Sequence, residues 1–126
     1  MNEFSNPGKS KIEALSAVTL ATADMAKAVQ FYGSLGFQLK SGGADSAFTS
    51  FFLDRSSFNL AAATRGPVTW WGRVIFYVSD VDVLYRNALA AGLLPQFSPR
   101  DGSWGERYFH IIDPSGHELS FAKPLG

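Results

Sequence analysis

A chain of 126 residues suits one compact domain, residues 1–126. With 46% hydrophobic and 17% charged residues it has the balance of a globular protein, and eleven Phe supply much of its apolar volume. The formal net charge is zero and the charges are scattered, so there is no basic stripe to neutralise phosphates, and no nucleic-acid partner is expected. No apolar run approaches the roughly 20 residues that cross a bilayer, and residues 1–8 lack the apolar stretch of a signal peptide, so the chain is expected to be cytoplasmic with no membrane partner. The absence of Cys removes disulfides, thiolate catalysis and Cys-based zinc sites together.

Taken in order, the first half (about residues 12–63) starts with a β-branched apolar run around Val18 that meets Asp24. Asp24 suits a helix N-cap, because its carboxylate can accept the first free N–H groups, and Gly36 suits the left-handed residue after the helix end. Between them Met25, Ala28, Val29 and Tyr32 form an apolar stripe at helical spacing. Ser41-Gly42-Gly43 reads as a turn between strands, and residues 48–63 read as a β-hairpin turning at Asp54.

After a linker at 64–69, the second half (about residues 70–123) repeats the plan. Residues 18–37 slide onto 74–93, pairing Val18 with Val74, Asp24 with Asp80 and Gly36 with Gly92, and the second helical stripe is Val81, Leu84, Tyr85, Ala88 and Leu89. Residues 48–63 slide onto 107–122, setting Asp54 over Asp113 and Leu60 over Leu119. Asp113-Pro114-Ser115-Gly116 is a strong turn, with His117 following it. The expected fold is α+β: two βαβββ modules in one domain, forming an open cup-shaped mixed sheet with helices on one face. Aromatic residues on both faces suit either a pocket in the concave face or a Phe-rich core.

Paired βαβββ modules, the helix segment ADMAKAVQFYGSLGF and the ending WGERYFHIIDPSGHELSFA together resemble the vicinal oxygen chelate superfamily over about residues 15–125, and the ending is most similar to its glyoxalase/bleomycin-resistance branch. The resemblance implies metal ligands, usually His or Gln and then Glu, at the start of the first strand and near the end of the last strand of each module. Those positions map to Ala17, Ala61, Arg73 and Ser120, none a usual ligand, so no metal and no cofactor are expected. A one-residue slip in the last strand puts Glu118 in place of Ser120. With a four-residue turn, period-two alternation puts His110 and His117 on the face opposite Ser120, as packed structural residues.

The candidate ligand-binding set is Arg73, Tyr77, Ser120, Glu118, Ala17, Ala61, Trp104, Arg107 and Trp71. Small side chains at Ala17, Ala61 and Ser120 leave volume, and Arg73 offers a planar five-donor group, or else a salt bridge to Glu118. Trp70, Trp71 and Trp104 flank the strand starts and suit stacking or packing, and Arg107 suits a second pocket cation or a partner for Glu106 or Asp113. The resemblance implies metal-independent binding of a small planar or anionic organic molecule by sequestration, with a homodimer as the assembly. The alternative it leaves is a lyase, isomerase or hydrolase using the same pocket with Tyr77 or Glu118 as acid or base. A third reading is a ligand-responsive interaction module.

Overall fold

The computed structural model describes residue 10 and residues 12–63 and 71–126. The linker expected at 64–69 and Trp70 lie outside the described residues. Module one runs β1 (Ala17–Thr22), α1 (Met25–Ser34), β2 (Leu39–Ser41), β3 (Phe48–Phe52) and β4 (Ser57–Ala62); module two runs β5 (Arg73–Tyr77), α2 (Val81–Ala90), β6 (Arg100–Asp101), β7 (Glu106–Ile112) and β8 (Glu118–Pro124). Each module is a four-stranded mixed sheet, ordered β1-β4-β3-β2 and β5-β8-β7-β6, in which the first and last strands pair in parallel. The α+β plan of two βαβββ modules is the one read from the sequence.

Both helices start and stop where the caps predict. The Asp24 carboxylate accepts from the Lys27 N–H and that of Asp80 from the Val83 N–H, each satisfying a donor that has no partner within its helix. Gly36 and Gly92 follow the helix ends at φ of 97° and 81°, in the left-handed region open to glycine. The buried side of α1 is Met25, Ala28, Phe31 and Tyr32, with Val29 at its margin, so Phe31 takes the place the stripe gave to Val29. In α2, Val81 and Ala88 are buried while Leu89 points outward and is exposed.

The modules share one aromatic core behind the sheets. Phe37 and Phe58 from module one meet Phe76 from module two edge-on, at centroid distances of 5.1 and 5.2 Å, and Phe76 stacks on Phe121. A polar seam runs beside it. The Tyr32 hydroxyl of α1 donates to Asp113 (2.7 Å), Ser115 bonds Thr22 (2.8 Å), and the His117 ring bonds the Ala21 carbonyl (2.7 Å). Asp113, only 3% exposed, also accepts the Ser115 and His117 backbone N–H groups, so three donors balance its desolvation. Burial first, then the Asp113 charge, pushes the Tyr32 hydroxyl far above its ordinary range.

The hairpin alignment drawn from the sequence needs correcting. β1 pairs Val18 with Phe58, and β5 pairs Val74 with Leu119, so Phe58 rather than Leu60 is the counterpart of Leu119, and Asn59 rather than Ala61 is the counterpart of Ser120. Two one-residue slips add up to this: Phe52, paired with Ser57, corresponds to Ile112, paired with Glu118, rather than to Ile111, and the second loop is the longer. The β3–β4 loop is residues 53–56, whereas the β7–β8 loop is residues 113–117, one residue longer because His117 belongs to the turn. Asp54 is exposed and is no counterpart of buried Asp113.

Removing the Tyr32 hydroxyl leaves a buried carboxylate one donor short. Tyr32→Phe should lower unfolding free energy by about 1.5–3 kcal/mol, the range for a hydrogen bond to a charged group, as read by urea denaturation. A loss below about 0.5 kcal/mol would show that water replaces the bond.

Candidate functional site

The loop of residues 113–117 decides which side chains face the cup. It pairs Ile112 with Glu118, His110 with Ser120 and Tyr108 with Ala122, and directly paired residues share a face. In parallel, Arg73 pairs with Glu118, Ile75 with Ser120 and Tyr77 with Ala122. The face away from the helix therefore carries Arg73, Ile75 and Tyr77 on β5, Glu118 and Ser120 on β8, and Glu106, Tyr108 and His110 on β7. The same alternation in module one puts Ala17, Thr19, Asn59 and Ala61 together, where Asn59 bonds Ser50 and Thr19.

Two expectations are overturned by this register. His110 lies on the same face as Ser120, not the opposite one, because the five-residue loop reverses the parity that a four-residue turn implies. Arg107 lies on the helix side: its guanidinium donates to both oxygens of Asp82 in the first turn of α2 (2.8 and 2.9 Å) and to Asp101 (3.0 Å). It holds the sheet to the helix, with partners other than the Glu106 or Asp113 read from the sequence. This fork keeps the Asp82 carboxyl below its ordinary range.

The other candidates fall into two groups. Ala17, Trp71 and Arg73 line a cleft of about 320 Å3 between the modules, with Leu15, Ser57 and Ile75. Trp71 donates to His117 Nδ1 (2.9 Å), which leaves Nε2 to carry the proton donated to the Ala21 carbonyl. Glu118, Ser120, Tyr77 and Trp104 gather on the module-two cup face, while Ala61 sits on the module-one face, opposite Ala21 and Phe48 on the neighbouring strands. Arg73 bridges the two groups through its ion pair with Glu118.

Along β7 the cup face is a strip of rings. Trp104 packs on Tyr108 (4.8 Å between centroids), Tyr108 on His110 (5.2 Å) and His110 on Phe97 (5.1 Å), and the Arg100 guanidinium lies 3.7 Å from the Phe97 centroid. At one end Glu106 takes hydrogen bonds from the Tyr77 hydroxyl and from Trp104 Nε1 (2.9 Å). Neither His110 nor Glu106 stood out as a site residue in the sequence. The contact between Tyr77 and Glu106 spans two strands and has no local signal, whereas Trp104 and Glu106 sit two residues apart at a strand start.

Of the four positions that the family resemblance marks for ligands, Ala17, Arg73 and Ser120 keep their places in the register, and Asn59 replaces Ala61 as the counterpart of Ser120. Alkyl, hydroxyl, amide and guanidinium groups do not fit a transition-metal site. Nearby, His110 Nδ1 is 3.9 Å from Glu118 Oε1, and the second group on that carboxylate is the Arg73 cation. Among the described residues no three His, Cys, Asp or Glu side chains gather to hold a metal ion.

Burial first, then the Arg73 charge, lowers the His110 pKa from its ordinary 6.5, with Arg100 adding to the shift and Glu118 opposing it. The ring is therefore neutral at pH 7. Because the unfolded chain takes up this proton first, His110 favours the fold above the ordinary value and withdraws that support as pH falls through it. In an NMR titration His110 should show a midpoint below 6.5, and Arg73→Ala should move it upward by removing a cation and freeing Glu118. A midpoint at or above 6.5 in the unaltered protein would contradict this electrostatic picture.

Three comparisons bear on this arrangement. The model of the Glyoxalase/Bleomycin resistance protein/Dioxygenase superfamily matches residues 14–121. Among solved structures, a glyoxalase/bleomycin resistance protein/dioxygenase from Nocardioides superposes with a TM-score of 0.75 at 19% identity, covering 94% of this chain and 87% of that one. A bleomycin-binding protein complexed with bleomycin gives 0.71 at 19% (89% and 98% covered), and lactoylglutathione lyase from Agrobacterium tumefaciens gives 0.72 at 19% (89% and 94%). These identities show a shared fold and nothing finer. An uncharacterized protein of Mycobacterium bovis is 40% identical over 48 residues, 38% of this chain and 32% of its own length.

Proposed function

Because the chain belongs to the glyoxalase/bleomycin resistance protein/dioxygenase superfamily, we propose that it binds a small planar organic molecule against the ring strip of its module-two cup, without a metal, and acts by sequestration. The observation that carries this reading is the strip itself. Trp104, Tyr108 and His110 form contiguous rings beside the buried hydroxyl-bearing Ser120; Tyr108 itself is buried behind Trp104, and Trp104 and Tyr77, 62% and 65% exposed, are the rings open to a ligand. Flat ligands stack on such faces. An anionic group is less well supported than the sequence suggested, since the Arg73 charge is already matched by Glu118.

The bleomycin complex among the similar structures supports sequestration, and the donor chemistry at Ala17, Ala61, Arg73 and Ser120 supports independence from metal. A homodimer fits the edge strands β1 and β5 and the exposed apolar Leu15, Trp71 and Ile75 beside the cleft between them. No helix of the described residues is long and apolar enough to cross a membrane, and a fold without cysteine needs no oxidising compartment, which supports a cytoplasmic setting.

One observation favours a second reading, an isomerase, lyase or hydrolase in the same cup. Neutral His110 stands beside Ser120 and within 3.9 Å of Glu118, where a base with an orienting carboxylate belongs.

Screening planar aromatic compounds by thermal shift and titrating the best by calorimetry tests both. Trp104→Ala should weaken binding by about 0.5–1.5 kcal/mol beyond the area lost. Chelator dialysis should leave affinity unchanged, and the bound compound should be recovered intact. Turnover abolished by His110→Ala would favour the enzyme; chelator-sensitive binding would sink the metal-free site.

A further inference from the structure

Resting on the aromatic-binding reading above, we infer that the Glu106 end of the cup recognises an organic cation, either a quaternary ammonium group or a cationic heteroaromatic ring. The Glu106 carboxylate is held by the Tyr77 hydroxyl from the end of β5 and by the Trp104 indole N–H from the loop before β7, with Tyr108 packed behind Trp104. Both donors are neutral, so they fix the carboxylate in place without cancelling its charge. The ion pairs among the described residues are Arg73 and His110 with Glu118, and Arg107 with Asp82 and Asp101; none includes Glu106.

An anion with no counterion among the described residues, set among ring faces, has the chemistry that attracts cations. Ring faces carry the negative side of the aromatic quadrupole, and a phenol donating its proton to a carboxylate becomes more electron-rich. The strip already does this once internally: Arg100 lies over Phe97 and 5.6 Å from the Tyr108 ring. The hydrogen bonds from Tyr77, then from Trp104, hold the Glu106 carboxyl below its ordinary range, so the charge persists through neutral pH. Exposure of Tyr77 and Trp104 leaves their faces open to a ligand.

Three probes of one shape and different charge test this: 1-methylquinolinium, its neutral isostere 1-methylnaphthalene, and the anion 1-naphthoate. Each is titrated while the Trp104 indole N–H resonance is followed by NMR. The cation should bind about tenfold more tightly than the neutral probe, as expected when a cation–π contact adds to a nearby charge. Glu106→Gln should erase that preference and leave the neutral probe's affinity unchanged. Tyr77→Phe keeps the carboxylate and both rings but removes one of the two donors that hold it, so it should lessen the preference while leaving the cation ahead of the neutral probe, which separates charge from its placement. Equal affinities for cation and neutral probe, tightest binding of naphthoate, or a preference that survives Glu106→Gln would each overturn the cation site while leaving aromatic binding in place. No response to any of the three would overturn both.

Discussion

Asp113 accepts hydrogen bonds from the Tyr32 hydroxyl of the other module and from two backbone N–H groups of its own turn. Those bonds bring His117 into the turn, and a turn of that length sets Ile112 against Glu118. Every side chain of β7 is then assigned to its face: Phe109 and Ile111 go to the core, Tyr108 and His110 to the cup. The same carboxylate ties the turn to α1, so hairpin register and module docking rest on one buried charge. A turn shorter by one residue would exchange the two faces of β7, bringing Arg107 into the cup and sending His110 into the core.

The cup's electrostatics follow from this register. Arg73 and Glu118 are paired by the parallel β5–β8 ladder and neutralise each other at one end. His110 sits between the Arg73 and Arg100 charges, partly buried, and stays neutral. Glu106 at the far end keeps its charge, because the groups that reach it are an indole and a phenol. Among the described residues the cup therefore presents a matched ion pair, a neutral polar centre and a carboxylate outside any ion pair in sequence along the sheet.

How far the sequence revealed this follows the range of each signal. The helices, their Asp caps and their terminal glycines are local features, decided within a few residues, and they stand where the spacing put them. That Arg73 and Tyr77 share one face of β5, and Glu118 and Ser120 one face of β8, was also legible, since alternation within one strand needs no partner; which face it is came from the family resemblance. The faces of His110 and Arg107 depended on the turn length, which Asp-Pro-Ser-Gly leaves open because Gly116 can close a four-residue turn or lead into a five-residue one. Glu106 was hidden for another reason: its role arises from a contact between residues 29 apart, which no local pattern encodes.

Whether the aromatic residues were meant for a core or a pocket was open in the sequence, and the structure uses them for both: six Phe fill the core, while Phe97 joins the cup strip and Phe48 and Phe52 are exposed. Phe31, Phe51, Phe58, Phe76, Phe109 and Phe121 are all in the core, where a ring without a polar handle costs nothing to bury. Tyr77, Trp104 and Tyr108 are on the cup face, and Tyr77 and Trp104 anchor their polar atoms on Glu106. Tyr32 is fully buried, and its hydroxyl meets Asp113. A buried phenol demands an acceptor, and here that acceptor belongs to the other module. At the junction of the modules and at the rim of the cup, Tyr32, Tyr77 and Trp104 thus stand where their oxygen or nitrogen has a partner.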